Sequence, residues 1–185
     1  MSDTKEGLLE VASSLIQQKG VNGMSYQHLS DEIGIRKASI HYLFPKKDDL
    51  VLALINRSKE NYHQFYKSIA DSDESPINKL RRISEIYAHG IETKKSCLIG
   101  ILSSDCELLN SRSVRYLNEA VSKTIEIFTD IIQEAKDKIM ITNNIDCNEL
   151  AHTYYNILYG GQIIGRSLGT TEFFNQSVEV FLKLL

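Results

Sequence analysis

Only two prolines, Pro45 and Pro76, and ten glycines interrupt 185 residues. Both residue types break regular structure, proline because it lacks an N–H and clashes with the preceding turn, glycine because ordering it costs the most backbone entropy. So few breaks leave long windows that suit helices better than a sheet with many turns. Within those windows the apolar residues recur at helical spacing. Leu8, Leu9, Ala12, Leu15 and Ile16 form one stripe over residues 4–19, and Gly20 ends it. Ser25 is placed to cap a short second helix that carries Leu29 and Ile33 and stops at Gly34. A third runs from Lys37 to Leu43 and closes at Phe44-Pro45, since the residue before a proline is pushed out of the α region.

A fourth helix starts near Lys47, with Asp48 and Asp49 in its first turn where the helix dipole favours anions. Its stripe of Leu50, Val51, Leu54, Ile55, Ser58, Tyr62, Phe65 and Ile69 carries it to Ala70. The polar run 71–76 is a loop. Further helices are expected over 76–93, 98–108, 113–139 and 147–167, with a last one after Gly169-Thr170-Thr171. The long seventh helix has the stripe Val114, Leu117, Val121, Ile125, Phe128, Ile132, Ala135 and Ile139, followed by a turn at Asn143-Asn144 and a cap at Asp146. The fold class is therefore all-α with about nine helices.

Composition sets the outer bounds. The net charge is −3, 42% of residues are hydrophobic and the mean hydropathy is −0.22, as in ordinary globular chains. No apolar run approaches the ~18 residues of a spanning helix, and Met1 to Glu6 lack a signal peptide's apolar region, so a cytoplasmic location is expected. Three cysteines, Cys97, Cys106 and Cys147, form no CxxC, so neither a disulfide framework nor a zinc site is indicated. The five histidines fall on different predicted helices without metal-ligand spacing, and there is no phosphate loop or nucleophile elbow. No enzyme activity, catalytic residue, metal or cofactor is expected.

What carries function is a helix, a tight turn at Gly34 and a second short helix, the spacing of a helix-turn-helix. Charge placement strengthens it. Residues 36–47 hold Arg36, Lys37, Lys46 and Lys47 with no acid among them, interleaved with Ser39, His41 and Tyr42. Residues 1–60 as a whole carry eight basic and eight acidic residues, so the positive charge is concentrated locally, as a phosphate-contacting surface requires. The bland alternative is a solvated basic face.

Residues 25–50, SYQHLSDEIGIRKASIHYLFPKKDDL, resemble the tetracycline-repressor (TetR) family of helix-turn-helix regulators. Against the family pattern T-x-x-x-I-A-x-x-A-G-V-S-x-G-x-L-Y-x-H-F-x-x-K-x-x-L, Gly34, Phe44, Lys47 and Leu50 match outright, and Ser25, Leu29, Ser30, Ile35 and Ile40 are near-equivalents. Arg36 replaces the usual capping serine, His41 the usual tyrosine and Leu43 the usual histidine, which leaves base preference unreadable. The resemblance implies residues 1–46 as a DNA-binding domain and 47–185 as an effector-binding and dimerisation domain joined by helix 4.

The DNA-contacting set is then Ser25, Tyr26, Arg36, Lys37, Ser39, His41, Tyr42, Lys46 and Lys47. Arg36 and Lys37 are placed to donate to guanine or phosphate, while Ser25 and Lys47, at the N-termini of helices 2 and 4, position the backbone. Ile33, Ile35, Ile40, Leu43 and Phe44 are assigned to the core. The family further implies a small-molecule pocket, with Tyr62, Tyr66, Tyr87, His89, Cys97, Cys106, Tyr116, His152, Tyr155 and Tyr159 as wall candidates and a mostly apolar or aromatic ligand. Helices 8 and 9 are apolar on more than one face, which points to a homodimer through Tyr154, Leu158, Gly161, Ile164, Leu168, Phe174, Val178 and Phe181.

The expected function is a dimeric, ligand-responsive regulator, a repressor in most of the family, that binds a palindromic operator in double-stranded DNA and is released by a small-molecule inducer. A thiol-based redox sensor is the first alternative, because Cys97 follows Lys94-Lys95-Ser96 near a helix start. A helical protein-interaction module or an enzyme follows at a distance.

Overall fold

A computed structural model of the chain describes residues 2–138 and 144–185. Nine α-helices and two short 3₁₀ turns, without a strand, make up the described residues: α1 Ser2–Lys19, a 3₁₀ turn Val21–Gly23, α2 Tyr26–Ile33, α3 Lys37–Leu43, α4 Lys47–Ala70, α5 Pro76–Glu92, α6 Leu98–Ser104, a 3₁₀ turn Cys106–Leu108, α7 Ser111–Asp137, α8 Cys147–Leu168 and α9 Glu172–Leu184. The expected all-α fold is the one observed. Ile139 and Asn143, read as the end of a stripe and as part of a turn, lie outside the described residues.

The helix ends follow from capping chemistry. Ser25 accepts from the His28 N–H and Ser75 from the Asn78 N–H. Asp146 accepts from both Asn148 and Glu149 N–H groups, so donors left over in the first turns are satisfied by side chains. Gly34 and Gly169 close α2 and α8 in the left-handed region. Two boundaries differ from expectation. The helix expected over 98–108 stops at Ser104, where Asp105 turns the chain into the second 3₁₀ turn. The next begins at Ser111, because the Asn110 side chain accepts from the Ser113 N–H and caps it there.

Two compact units form, one from residues 1–60 and 97–120, the other from residues 61–96 and 121–185. In the first, α1 packs against α2, the first 3₁₀ turn and α6, and α2 against α3. Leu8, Ala12, Ile16, Leu29, Ile40, Leu50 and Ile55 are its fully buried centre. Ile40 and Phe44 are buried as expected, whereas Ile33, Ile35 and Leu43 are only half-buried, since α2 and α3 are too short to cover both their own faces. In the second unit α8 lies against α5 and α9, and α5 also meets α9. Phe65, expected on the inner stripe of α4, is 43% exposed, and Tyr66 takes the inward place. The Tyr66 hydroxyl shares a 2.9 Å hydrogen bond with that of Tyr87, and its ring meets Phe128 edge-on, contacts unavailable to phenylalanine one position earlier.

One charge is sealed into this unit. Lys79 is buried, and its ammonium donates to the Ala70 carbonyl at 2.7 Å and to Glu134 at 2.8 Å, tying α5 to the end of α4 and to α7. Glu134 also accepts from Lys138 at 2.6 Å. Hydrogen bonds from Lys138 and then Lys79 hold the Glu134 carboxyl below the usual carboxylate range. A depressed folded value means that this contribution is complete above the ordinary carboxylate range and lost as pH falls through the folded value. Glu134→Gln is expected to lower stability by about 1–2 kcal/mol at neutral pH, with the gap to wild type closing in acid. Thermal melts at a series of pH values check this, and a gap that persists at low pH would contradict it.

Candidate functional site

The helix-turn-helix is built by local bonds. The Ser30 hydroxyl donates to the Ile35 carbonyl at 2.7 Å and the Gly34 N–H to the Ser30 carbonyl at 3.0 Å, which together fix the turn between α2 and α3. Arg36 is the residue before α3 and makes no side-chain cap, as its replacement of a serine predicts. Ile40 and Phe44 turn inward, while Arg36 just before α3 and Lys37, Ser39, His41 and Tyr42 along it are exposed to solvent. Tyr42 is 78% exposed and so carries no packing role. Lys46 is exposed beside this face. A short helix with an apolar inner side and an outer side of two cations, a hydroxyl, an imidazole and a phenol has the inventory that base edges and phosphates accept.

Three members of the expected DNA-contacting set are used differently. Tyr26 is buried, and its hydroxyl donates to the Phe44 carbonyl at 2.8 Å. Burial, with Asp49 and Asp48 adding to it, pushes the phenol up to about 12. Tyr26 is thus a strut between α2 and the end of α3 and not a surface contact, because the first residue of α2 faces the core. His41 packs edge-on against that ring with centroids 4.7 Å apart, which steadies an exposed imidazole on α3. Lys47 is half-buried, and its ammonium donates to the Val21 carbonyl at 2.7 Å. Burial lowers its pKa from the ordinary lysine value, with Asp48 opposing. At the start of α4 the Asp49 carboxylate accepts from the Lys46 N–H at 3.0 Å, and at α2 the Ser25 hydroxyl fills the His28 N–H, so one donor at each helix start is already taken.

In the second unit the structure gathers five of the ten wall candidates. Tyr62 stacks on Tyr66, Tyr66 meets Phe128, Phe128 meets Tyr155, Tyr155 leans on Tyr159 at 4.2 Å between centroids, and Tyr159 meets Tyr87. Phe128 is the hub, a role that its place in an ordinary helical stripe did not signal. His63, on α4 beside Tyr62, has a buried Nδ1 without a hydrogen-bond partner. His89, His152 and Cys106 are exposed and are corrected out of a wall, because their helical positions point to solvent. Cys97, buried, and Tyr116 belong to the first unit.

The expected dimer contacts need a larger correction. Tyr154, Leu158, Gly161, Phe174, Val178 and Phe181 are buried within their own chain. Tyr154 donates to the Leu80 carbonyl and stacks on Phe181, and a Cβ on Gly161 would stand 2.9 Å from the Phe174 ring. They form the seam between α5, α8 and α9. Ile164 and Leu168 remain outward, joined by Ile163 on α8 and by Phe173, Val180 and Leu184 on α9. Ile164 to Leu168 and Val180 to Leu184 are i, i+4 pairs, but so are buried Tyr154 to Leu158 and Phe174 to Val178, so spacing alone does not tell the outer stripe from the inner one.

Residues 8–54 match the family model for bacterial regulatory proteins of the tetR family. An uncharacterized HTH-type transcriptional regulator from Lactococcus lactis is 30% identical over 114 residues, 60% of this chain and 58% of its own length. A second curated relative, the regulator YuxN of Bacillus subtilis, is 27% identical over 51% of this chain and 33% of its own length. The chain thus spans less than two thirds of either relative. The crystal structure of a TetR transcriptional regulator from Legionella pneumophila is 25% identical with a TM-score of 0.90, covering 100% of this chain and 98% of that one. AibR, solved with isovaleryl coenzyme A and operator DNA, shares the fold at 15% identity and a TM-score of 0.74 over 98% of this chain and 97% of its own.

Proposed function

We propose that the chain, which matches the tetR family model over residues 8–54 and shares the fold of a solved TetR regulator, is a DNA-binding transcriptional regulator of that family and acts as a homodimeric repressor that occupies a palindromic operator and leaves it when a small molecule binds. The observation that carries the DNA half is the exposed surface of α3, where Arg36, Lys37, Ser39, His41 and Tyr42 are all open to solvent while Ile40 is buried. Residues 1–46 read DNA in this account and residues 47–185 bind the effector and the second copy. One helix of this length reads too few base pairs for specificity, so two half-sites are needed. The outward apolar stripe of α8 and α9 supports the dimer, and the tyrosine network around Phe128 supports an apolar or aromatic effector. AibR, with its ligand and its operator, supports the scheme through likeness of fold alone.

Thiol sensing has less support, because Cys97 and Cys147 are buried and only Cys106 is exposed. Among the described residues no group of three or more His, Cys, Asp or Glu side chains is arranged to hold a metal ion, and no helix is long and apolar enough to cross a membrane. A cytoplasmic location is proposed from the DNA target.

The test is titration of a labelled duplex from upstream of the protein's own gene, with non-specific competitor and over a range of salt. Lys46→Ala is expected to weaken all sequences alike and to flatten the salt slope by about one. Arg36→Ala is expected to cost about 1–3 kcal/mol on the selected site and to relax its specificity. If both variants bind as the wild type does, α3 is not the reading helix.

A further inference from the structure

The turn that joins α1 to the helix-turn-helix is gripped from two sides by side chains distant in sequence. Asp105 accepts from the Val21 N–H at 2.7 Å across 84 residues, and Lys47 donates from its ammonium to the Val21 carbonyl at 2.7 Å. Val21 itself is buried. Asp105 reaches it from a rigid stem. Its N–H donates to the Ile101 carbonyl at 3.0 Å, its own carbonyl accepts from the Leu108 N–H at 2.9 Å, and Leu98, Ile99 and Leu102 anchor the helix before it. The approach depends on Gly20, whose φ is 74° and where a Cβ would stand 3.0 Å from the Asp105 carboxylate. A hydrogen bond with an ionised partner is about twice as strong as a neutral one, so the Asp105 and Lys47 bonds together hold the turn firmly.

A lysine ammonium is a point charge on a flexible four-carbon stem, and fixing it against a phosphate costs rotamer entropy. Bound to the Val21 carbonyl, the Lys47 ammonium is already fixed beside the first turn of α4, with two further N–H groups to offer. Where it is fixed depends on where Val21 is held. We propose that Asp105, which lies outside the helix-turn-helix, is a positioning residue for DNA binding: its carboxylate sets Val21, and Val21 sets the Lys47 ammonium for a backbone phosphate. The proposal rests on the reading of the α3 face and the start of α4 as the DNA-binding surface. A carboxylate that merely glues α6 to α1 would act on stability alone, without reference to Lys47.

The experiment measures the affinity of wild type, Asp105→Ala, Asp105→Asn, Lys47→Met and the Asp105→Ala/Lys47→Met double variant for the duplex that the wild type selects from random sequences, at several salt concentrations. Asp105→Ala is expected to weaken binding about tenfold, the loss of one hydrogen bond to a charged group, and to reduce the salt slope by about one. Asp105→Asn, whose amide oxygen still accepts from Val21, is expected to keep most of both and guards against a misfolded alanine variant. The double variant is expected to bind within about twofold of Lys47→Met, as residues acting through one contact do. Multiplying effects, or an unchanged salt slope in Asp105→Ala, would overturn the proposal.

Amide hydrogen exchange at Val21 and the NMR signal of the Lys47 ammonium, both read on free protein, test the link without DNA. Both should change in Asp105→Ala, and if neither does the link is absent. A wild type that selects no duplex while both signals respond would instead refute the DNA-binding reading, and with it the positioning role, while leaving the Asp105 to Lys47 link in place.

Discussion

A Leu168→Glu/Val180→Glu double variant is expected to run as a monomer and to lose at least about a hundredfold in affinity for a two-half-site duplex, a fraction of the ~10³–10⁷ that separates specific from non-specific binding. Leu168 and Val180 are 59% and 56% exposed, so their change removes only a minor part of the packing within the chain. Pairing two copies through Ile164, Leu168, Val180 and Leu184 would bury these carboxylates without a cation, and an isolated charge taken from water is costly enough to prevent association. Helix content should stay at the wild-type level by circular dichroism. Sedimentation equilibrium reads the outcome, and a double variant that remains dimeric would place the interface elsewhere.

The opposite pattern is expected from Phe174→Ala. Phe174 is fully buried between α8 and α9 against Gly161, whose missing side chain is what lets the ring approach. Removing a buried aromatic ring deletes its transfer energy and leaves a cavity that a tightly packed seam cannot refill, a cost of about 3–5 kcal/mol. That is a large part of the ~5–15 kcal/mol that holds a domain together. Chemical denaturation should show a lower midpoint, with the oligomeric state of the remaining folded protein unchanged in native buffer. A dissociated but normally stable Phe174→Ala protein would mean that this ring lies between copies and not within one. The two variants together separate an inner stripe from an outer stripe on the same pair of helices.

The basic face of α3 and the aromatic network stand in contrast in how they are made. The cations at Arg36, Lys37 and Lys46 lie within one stretch of chain, and the short apolar set of Ile40 and Phe44 turns them outward with little help from elsewhere. The network needs four separate helices to bring Tyr66, Tyr87, Phe128, Tyr155 and Tyr159 together. Each of those residues is ordinary in its own segment, and nothing in the spacing of α7 marks Phe128 as the hub.

Local signals settled what local physics controls. The bounds of α3 and α4, the caps at Ser25 and Asp146, the stop at Gly34 and the missing cap at Arg36 were legible in the sequence, because a capping bond or a left-handed glycine acts within one turn of helix. The second 3₁₀ turn was not, because Asp105 ends α6 while its side chain answers a backbone group 84 residues away. The same holds for Tyr26, whose neighbours suggest a surface position while the Phe44 carbonyl draws its hydroxyl inward. On α8 and α9 the sequence carried enough apolar residues for two faces but not which face is which. A rotation of one residue, 100° around the helix, exchanges them, and only the packing of α5 against Tyr154, Leu158 and Phe181 decided it.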